Sequence, residues 1–313
     1  MLRFVLRRLL YAVPTLIAVL TMVFVLVRIV PGDPALTILG DQASQEAIEN
    51  LRARLGLDQS ILAQYLDFMV GIFQGDWGTS LVSGNSVLAE VARVLPYTID
   101  LTVASIVLGA LIGVPLGTWS ALHRNRLIDY VTRVVSLLGL SFPAFVSAII
   151  LLLVFAIQLR WFPVISAGDL DDPVARIRSL VLPTVNLGLI MAAYVTRVTR
   201  SSMLEVLGED YIRTARAKGV PWRAVVGRHS LRNALIPVVT VVGLYLGILI
   251  GNSILTEIVF NRPGLGKLMV GAMNQRDYPM LQGLMVIYTF VIVLVNILTD
   301  LTYGLIDPRV KRQ

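Results

Sequence analysis

The chain has 313 residues, 56% of them hydrophobic and only 15% charged, with a net charge of +7 and a mean hydropathy of +0.76. A soluble domain carries roughly 25% charged residues, so this composition excludes an ordinary globular protein. Cysteine is absent, which excludes a disulfide framework, thiol chemistry and a Cys-based metal site.

Six stretches approach the ~20 apolar residues that a helix needs to cross the hydrocarbon core. In chain order they are Leu9–Val27, Leu101–Leu122, Val134–Ile157, Leu180–Val195, Leu235–Leu255 and Leu281–Asp300. None carries an ionisable side chain near its middle, and the fourth, with Pro183 and Asn186, is the shortest. The first follows Arg3, Arg7 and Arg8 but is longer than a secretory h-region and lacks a small-x-small cleavage site, so it reads as a retained anchor. The sequence thus predicts an all-α membrane protein of six spans.

Lys and Arg are retained on the cytoplasmic side. With the N-terminus inside, the inside segments hold 17 of the 27 basic residues and 6 of the 20 acidic ones. An even number of spans then places both termini in the cytoplasm. Topology explains the positive net charge, and a nucleic-acid partner loses its only support.

Between the first two spans, residues 31–96 form an outside cap, flanked by an N-terminal helix over 1–30 and a five-helix core over 97–313. Ile48, Leu51 and Leu55 recur at helical spacing before Gly56. Ser60 is placed to cap a second amphipathic helix whose stripe runs Ile61, Leu62, Tyr65, Leu66, Met69, Ile72 and Phe73. That stripe suits a membrane interface, with Trp77 as its anchor. A third short helix through Val87, Leu88, Val91 and Leu95 leads to Pro96. The cap is read either as packing on the spans or as a docking surface for an outside partner. Gly109, Gly113 and Gly117 recur every fourth residue in the second span, as Gly243, Gly247 and Gly251 do in the fifth. Such stripes let another helix approach closely; a ligand-lined groove is the other reading.

The inside loop 197–234 holds eight basic residues. Within it, Glu209 and Asp210 stand where a short helix would start, followed by Tyr211, Arg213, Thr214, Ala215, Arg216, Ala217 and Lys218. Acids at the start and bases at the end both suit the helix dipole. Gly219 can take the left-handed cap, and Pro221 prevents continuation. This is either a solvated loop helix whose bases enforce topology or a slim helix that enters a groove on another protein.

The stretch resembles the EAA loop of permease subunits of binding-protein-dependent ATP-binding-cassette (ABC) importers, specifically the B-type permease of the dipeptide/oligopeptide/nickel class. The likeness extends to Pro31-Gly32-Asp33-Pro34, Gly75-Asp76-Trp77-Gly78, Ser141-Phe142-Pro143, Arg228 through Pro237, Glu257, Phe260, Pro263-Gly264-Leu265-Gly266, Asp277-Tyr278-Pro279 and Asp307-Pro308-Arg309. The Glu-Ala-Ala position itself reads Arg213-Thr214-Ala215, and the usual Leu-Pro is Leu231-Arg232 with a proline later at Pro237; both look like the peptide class rather than the sugar class. The resemblance implies a type I importer permease fold and a helix from Glu209 to Lys218 that couples to an ATPase. It implies a heterodimer with a C-type permease paralogue, two ABC ATPases that bind ATP and Mg, and an outside substrate-binding protein. Pro263, Gly264, Gly266 and Pro279 would belong to an entrance hairpin or gate. Substrates of such a class are dipeptides and oligopeptides, with glutathione, nickel chelates, opines or sugars as alternatives.

The chain has no phosphate-binding G-x-x-x-x-G-K-[S/T] loop, so energy must come from other subunits. His123 and His229 both fall on inside loops, which leaves no intramembrane Ser/His protease, and no cluster has metal-ligand spacing. No enzymatic activity is expected. A gradient-driven carrier would place ionisable groups within the bilayer, where this chain has none; a passive pore is not excluded by composition. Asn186, Asn252 and Asn296 are read as interhelical hydrogen-bond partners, with Asn252 and Asn296 as candidate pathway contacts.

Overall fold

The computed structural model describes residues 2–29, 36, 39, 43–54, 56–164 and 172–306, and every regular element among them is a helix. In chain order these are α1 (Leu2–Ile29), α2 (Gln45–Arg54), α3 (Ile61–Gln74), α4 (Val87–Leu122), α5 (Leu127–Ser141), α6 (Ala144–Gln158), α7 (Pro173–Leu207), α8 (Asp210–Ala217), α9 (Trp222–Val259), α10 (Leu265–Asn274) and α11 (Tyr278–Ile306). They form two compact units. One comprises Tyr97–Gly266 with the chain from Val295 onward, the other Leu2–Pro96 with Lys267–Leu294. The motifs Pro31-Gly32-Asp33-Pro34 and Asp307-Pro308-Arg309 lie outside the described residues.

α4, α7, α9 and α11 are each long and apolar enough to cross a membrane. α5 and α6 qualify together but are bent by 99°, and α1 contributes the shorter apolar stretch Leu10–Leu26. The third predicted span, Val134–Ile157, is therefore not one rod. Pro143 disfavours the α conformation at the residue before it, and Phe142 is extended (φ −79°, ψ 128°). Conversely, the short helix expected through Leu95 and the second span are one 36-residue helix that runs through Pro96. α7, at 35 residues, is also longer than its apolar centre suggests. Asp172 caps it by accepting hydrogen bonds from the Val174 and Ala175 N–H groups (2.9 and 3.1 Å), and Pro173 occupies the first turn.

α7 is the central helix of its unit: 61% of its apolar stretch is buried, against 28% to 33% for the other three long helices. Against it lies the first glycine stripe. A Cβ on Gly109 would stand 2.4 Å from Met191 Cγ, on Gly113 2.6 Å from Val195 Cβ, and on Gly117 2.6 Å from the Thr196 carbonyl oxygen. Gly188 meets Leu108 in the same way from the α7 side. The reading of this stripe as a packing face holds. The second stripe is different: Gly243 abuts Thr299, but Cβ atoms on Gly247 or Gly251 would meet nothing within 4 Å.

Polar groups tie the packed helices. Buried Asn186 donates to the Ala144 carbonyl (3.1 Å) and Thr256 Oγ1 (3.2 Å) and accepts from Ser147 Oγ (2.6 Å), joining α6, α7 and α9. Asp129, fully buried, accepts from Arg200 Nε (2.6 Å) and Nη2 (2.9 Å), Ser120 Oγ (2.8 Å) and the Asn125 N–H (2.9 Å). Asp100 of α4 pairs with Arg176 of α7, whose Nε lies 2.7 Å away.

In the other unit, Ser60 accepts from the Ala63 N–H (3.3 Å) to start α3, and Gly75 ends it in the left-handed conformation (φ 81°). Leu20, Ile72 and Val286 form its apolar centre, with Trp77 against it.

Gly113→Val is expected to lower the thermal-unfolding midpoint in detergent, through overpacking worth about 1–3 kcal/mol. Gly247→Ala, placed in open space within a helix, should leave that midpoint unchanged or raise it slightly. Equal melting of the two variants would remove the close-packing account of α4 and α7.

Candidate functional site

The segment from Glu209 to Val220 folds as a short helix with a hydrogen-bonded C-terminal cap. Glu209 is extended (φ −69°, ψ 146°) and makes no side-chain cap bond, so its backbone opens α8. Asp210 accepts from Arg213 Nη1 (3.4 Å) and, through its carbonyl, from Thr214 Oγ1 (3.0 Å). At the other end the Gly219 N–H donates to Arg216 O (3.0 Å) and the Val220 N–H to Ala215 O (3.2 Å). Those two bonds make a Schellman motif, which needs Gly219 at its observed φ of 79°.

α8 is anchored on one side and open on the other. Ile212 is buried, and Tyr211 Oη accepts from Asn233 Nδ2 (2.8 Å), fastening the helix to α9 about three turns from its start. The Arg216 guanidinium lies over the Trp222 ring, 5.2 Å from its centroid. Glu209, Asp210, Tyr211, Arg213, Thr214, Arg216, Ala217 and Lys218 are all exposed, and Ala215 is half-buried. The result is a basic, solvent-facing helix with small residues on its flank. Such a surface suits an acidic groove on another protein.

At the end of α9 stands a second constellation. Glu257 lies in the last turn, where the helix dipole opposes a negative charge, and is fully buried. Its carboxylate accepts from Thr98 Oγ1 (2.7 Å) and from the Gly266 N–H (2.8 Å) at the start of α10, and Thr98 Oγ1 accepts from the Leu265 N–H (2.9 Å). Gly264 passes so close that a Cβ there would lie 2.2 Å from Glu257 Cδ, and one on Gly266 would lie 2.5 Å from Ile254 Cα. Arg262, also fully buried, stacks over Tyr97 at 5.3 Å and donates to Ser179 Oγ (3.3 Å), with Asp100 3.8 Å from its Nη2. Burial pushes its guanidinium below the ordinary value, opposed by Asp100 and Glu257.

Of the predicted entrance residues, Pro263, Gly264 and Gly266 thus share one turn. Pro279 belongs to the other unit, at the first turn of α11. There Asp277 caps the helix by accepting from the Met280 N–H (3.2 Å) and also accepts from Ser80 Oγ (2.5 Å) and the Leu81 N–H (3.2 Å). Asn252 is half-buried and Asn296 exposed, and neither side chain makes a hydrogen bond among the described residues. Sequence reasoning missed Asp129, Arg200, Asp100 and Arg176, whose charges it counted only for topology. Among the described residues no group of three or more His, Asp or Glu could hold a metal.

With this geometry in view, comparison with known proteins is decisive. Residues 113–312 match the family described as the binding-protein-dependent transport system inner membrane component, and residues 1–102 match the N-terminal region described for the same systems. The chain belongs to this family. It is an ABC importer permease of the dipeptide/oligopeptide/nickel class, a multi-pass inner-membrane protein and not an enzyme. It is 42% identical over 312 residues, 99% of both chains, to the glutathione transport system permease protein GsiC of Salmonella choleraesuis (strain SC-B67). Its identity to GsiC of Escherichia coli (strain K12) is 41% over 311 residues, again 99% of both. Its fold is that of a chain in inward-facing crystal structures of the MetNI methionine ABC transporter, with a TM-score of 0.57, 19% identity, and coverage of 70% of this permease and 97% of that chain.

Glu257→Ala is expected to destabilise the permease by about 1–3 kcal/mol, because buried donors on Gly266 and Thr98 lose their acceptor. Thr98→Val should cost less, and thermal unfolding of the two variants in detergent measures the difference.

Proposed function

We propose that this permease forms one half of the pathway of an importer for small peptides, with glutathione, a tripeptide, within its range. Its partners are a C-type permease paralogue, two cytoplasmic ABC ATPases and an outside binding protein. The observation that carries the reading is α8: a short helix, closed by a Schellman motif at its C-terminus, buried at Ile212 and presenting Arg213, Arg216 and Lys218 to solvent. A helix of this kind docks into an ATPase cleft and passes its opening and closing to the spans, shifting the population of two access states.

Counting α1 and the bent pair α5–α6 as one span each gives six, with both termini in the cytoplasm and α8 on the basic face. The unfilled stripe at Gly247 and Gly251, beside Asn252, suits the C-type permease or the pathway, and Asn296 is assigned to the pathway with it. The turn of Pro263, Gly264 and Gly266, together with Pro279, is assigned to the entrance.

The peptide class is supported by the Arg213-Thr214-Ala215 form of the loop and by the glutathione permeases among the relatives. Selectivity in such a system resides largely in the binding protein, so uptake of dipeptides, glutathione, nickel chelates, opines and sugars by the reconstituted importer tests it. Preferential uptake of a sugar or a nickel chelate would overturn the peptide assignment.

The coupling role has its own test. Arg213→Glu/Arg216→Glu should release the co-purifying ATPase and reduce ATP-dependent uptake at least roughly tenfold, the equivalent of one lost charge pair. The thermal midpoint of the isolated permease should stay put, since both side chains are exposed. Retained ATPase and normal uptake would show that α8 is only a solvated loop.

A further inference from the structure

The unit built from Leu2–Pro96 and Lys267–Leu294 carries a half-open cavity of about 300 Å³. That is the lower end of the range for small-molecule sites. Its lining carries charges of both signs, Arg28 on α1, Asp67 on α3 and Asp76 in the loop just after α3. Among the described residues these groups make no ion pair with one another. Opposite charges that share a cavity and remain unpaired leave a dipolar space between them.

Arg28 is held in place. Its Nε donates to Gln64 Oε1 (3.0 Å), and its guanidinium lies 3.7 Å from the centroid of the Phe24 ring. Those contacts use one N–H and one face of the group and leave the terminal amino groups for a ligand. Asp67 and Asp76 are exposed, and among the described residues the one hydrogen bond to either side chain runs from the Gly78 N–H to Asp76 Oδ1 (3.1 Å). Gln282, also on the lining, has a buried Nε2 with no hydrogen-bond partner. Trp77 supplies a fixed aromatic wall: its Nε1 donates to the Ile72 carbonyl (3.3 Å), and its ring stacks on Phe290 at 6.2 Å.

We propose that this cavity binds a zwitterion. A carboxylate or phosphate meets Arg28 and the Gln282 amide, and a protonated amine meets Asp67 and Asp76. Charge-assisted hydrogen bonds of this kind are short and directional, and the aromatic wall excludes water from one side of them. Two sources carry this chemistry, a small free peptide and the headgroup of phosphatidylethanolamine. The peptide-importer reading enters only through the choice of probe. Binding is measured without transport or ATP hydrolysis, so its failure is distinct from failure of that reading.

The experiment uses the full chain in detergent. Alanyl-alanine is titrated calorimetrically, and retention of phosphatidylethanolamine against phosphatidylcholine is read by native mass spectrometry. Saturable binding of alanyl-alanine, absent for its N-acetylated amide, assigns the site to a free solute. Selective retention of the ethanolamine lipid assigns it to a headgroup. In either case Arg28→Gln and Asp67→Asn/Asp76→Asn should each weaken binding about tenfold, the loss of one charged contact. If neither probe binds, if the uncharged analogue binds equally, or if both variants bind as wild type does, the proposal is wrong.

Discussion

The close approach of α4 and α7 is the contact on which the larger unit depends. Between helices in lipid there is no hydrophobic driving force, so association rests on van der Waals packing and interhelical hydrogen bonds. Gly109, Gly113 and Gly117 leave no side chain between α4 and the backbone of Ala192, Thr196 and Arg200. Each end of the seam is then fixed by charge. Asp100 pairs with Arg176 at one end, and Asp129, shared by Ser120 and Arg200, closes the other. Asp100 and Ser120 are 20 residues apart on α4, about 30 Å at 1.5 Å per residue, which is the thickness of the hydrocarbon layer. The two charged contacts are thus about one hydrocarbon thickness apart, and the glycine stripe lies between them.

Asp129 illustrates why such a latch is restrictive. A buried carboxylate is costly unless its lone pairs are filled, and here two Arg200 nitrogens, a serine hydroxyl and a backbone N–H fill them. That set of donors comes from α4, α7 and the turn before α5, so the three can satisfy it only in one arrangement. α7 then runs on to Leu207 and hands the chain to α8 within two residues. α8 is in turn tied to α9 through Tyr211 and Asn233. In the proposed mechanism a push on α8 thus reaches two packed helices at once rather than a flexible loop.

Much of this was legible in the sequence, because hydropathy and capping chemistry are local. The apolar runs located the long helices, and the order Glu209-Asp210 to Lys218-Gly219 specified α8 and its cap almost residue by residue. The bend at Phe142-Pro143 was marked only by Pro143, and a proline alone does not tell a bend from a continuous helix, since Pro183 and Pro237 lie inside unbroken ones. Continuity through Pro96 was hidden for the opposite reason: a proline normally reads as a boundary, and only the surrounding packing overrides it. The two glycine stripes look alike in sequence, yet Gly113 meets Val195 while Gly247 faces open space. Periodicity marks a face for close approach without naming what approaches. Asp129 and Asp100 were visible as charges, but their partners lie 71 and 76 residues away, beyond any local pattern.

The turn after α9 follows the same logic and constrains how an entrance there can work. Glu257 would be repelled by the carbonyl end of its own helix, and the N–H groups that open α10 offset that repulsion. Gly264 and Gly266 are required because the carboxylate and Ile254 occupy the space a side chain would need. Arg262 is enclosed against Tyr97, Ser179 and Asp100, so it anchors the turn to α4 and α7 as well. A segment held by this many buried polar contacts does not flap by itself, since opening it would strand several charges and donors without water. If this turn gates the entrance, it moves as one body with the ends of α4, α7 and α9, driven by the same seam that carries the proposed motion from α8.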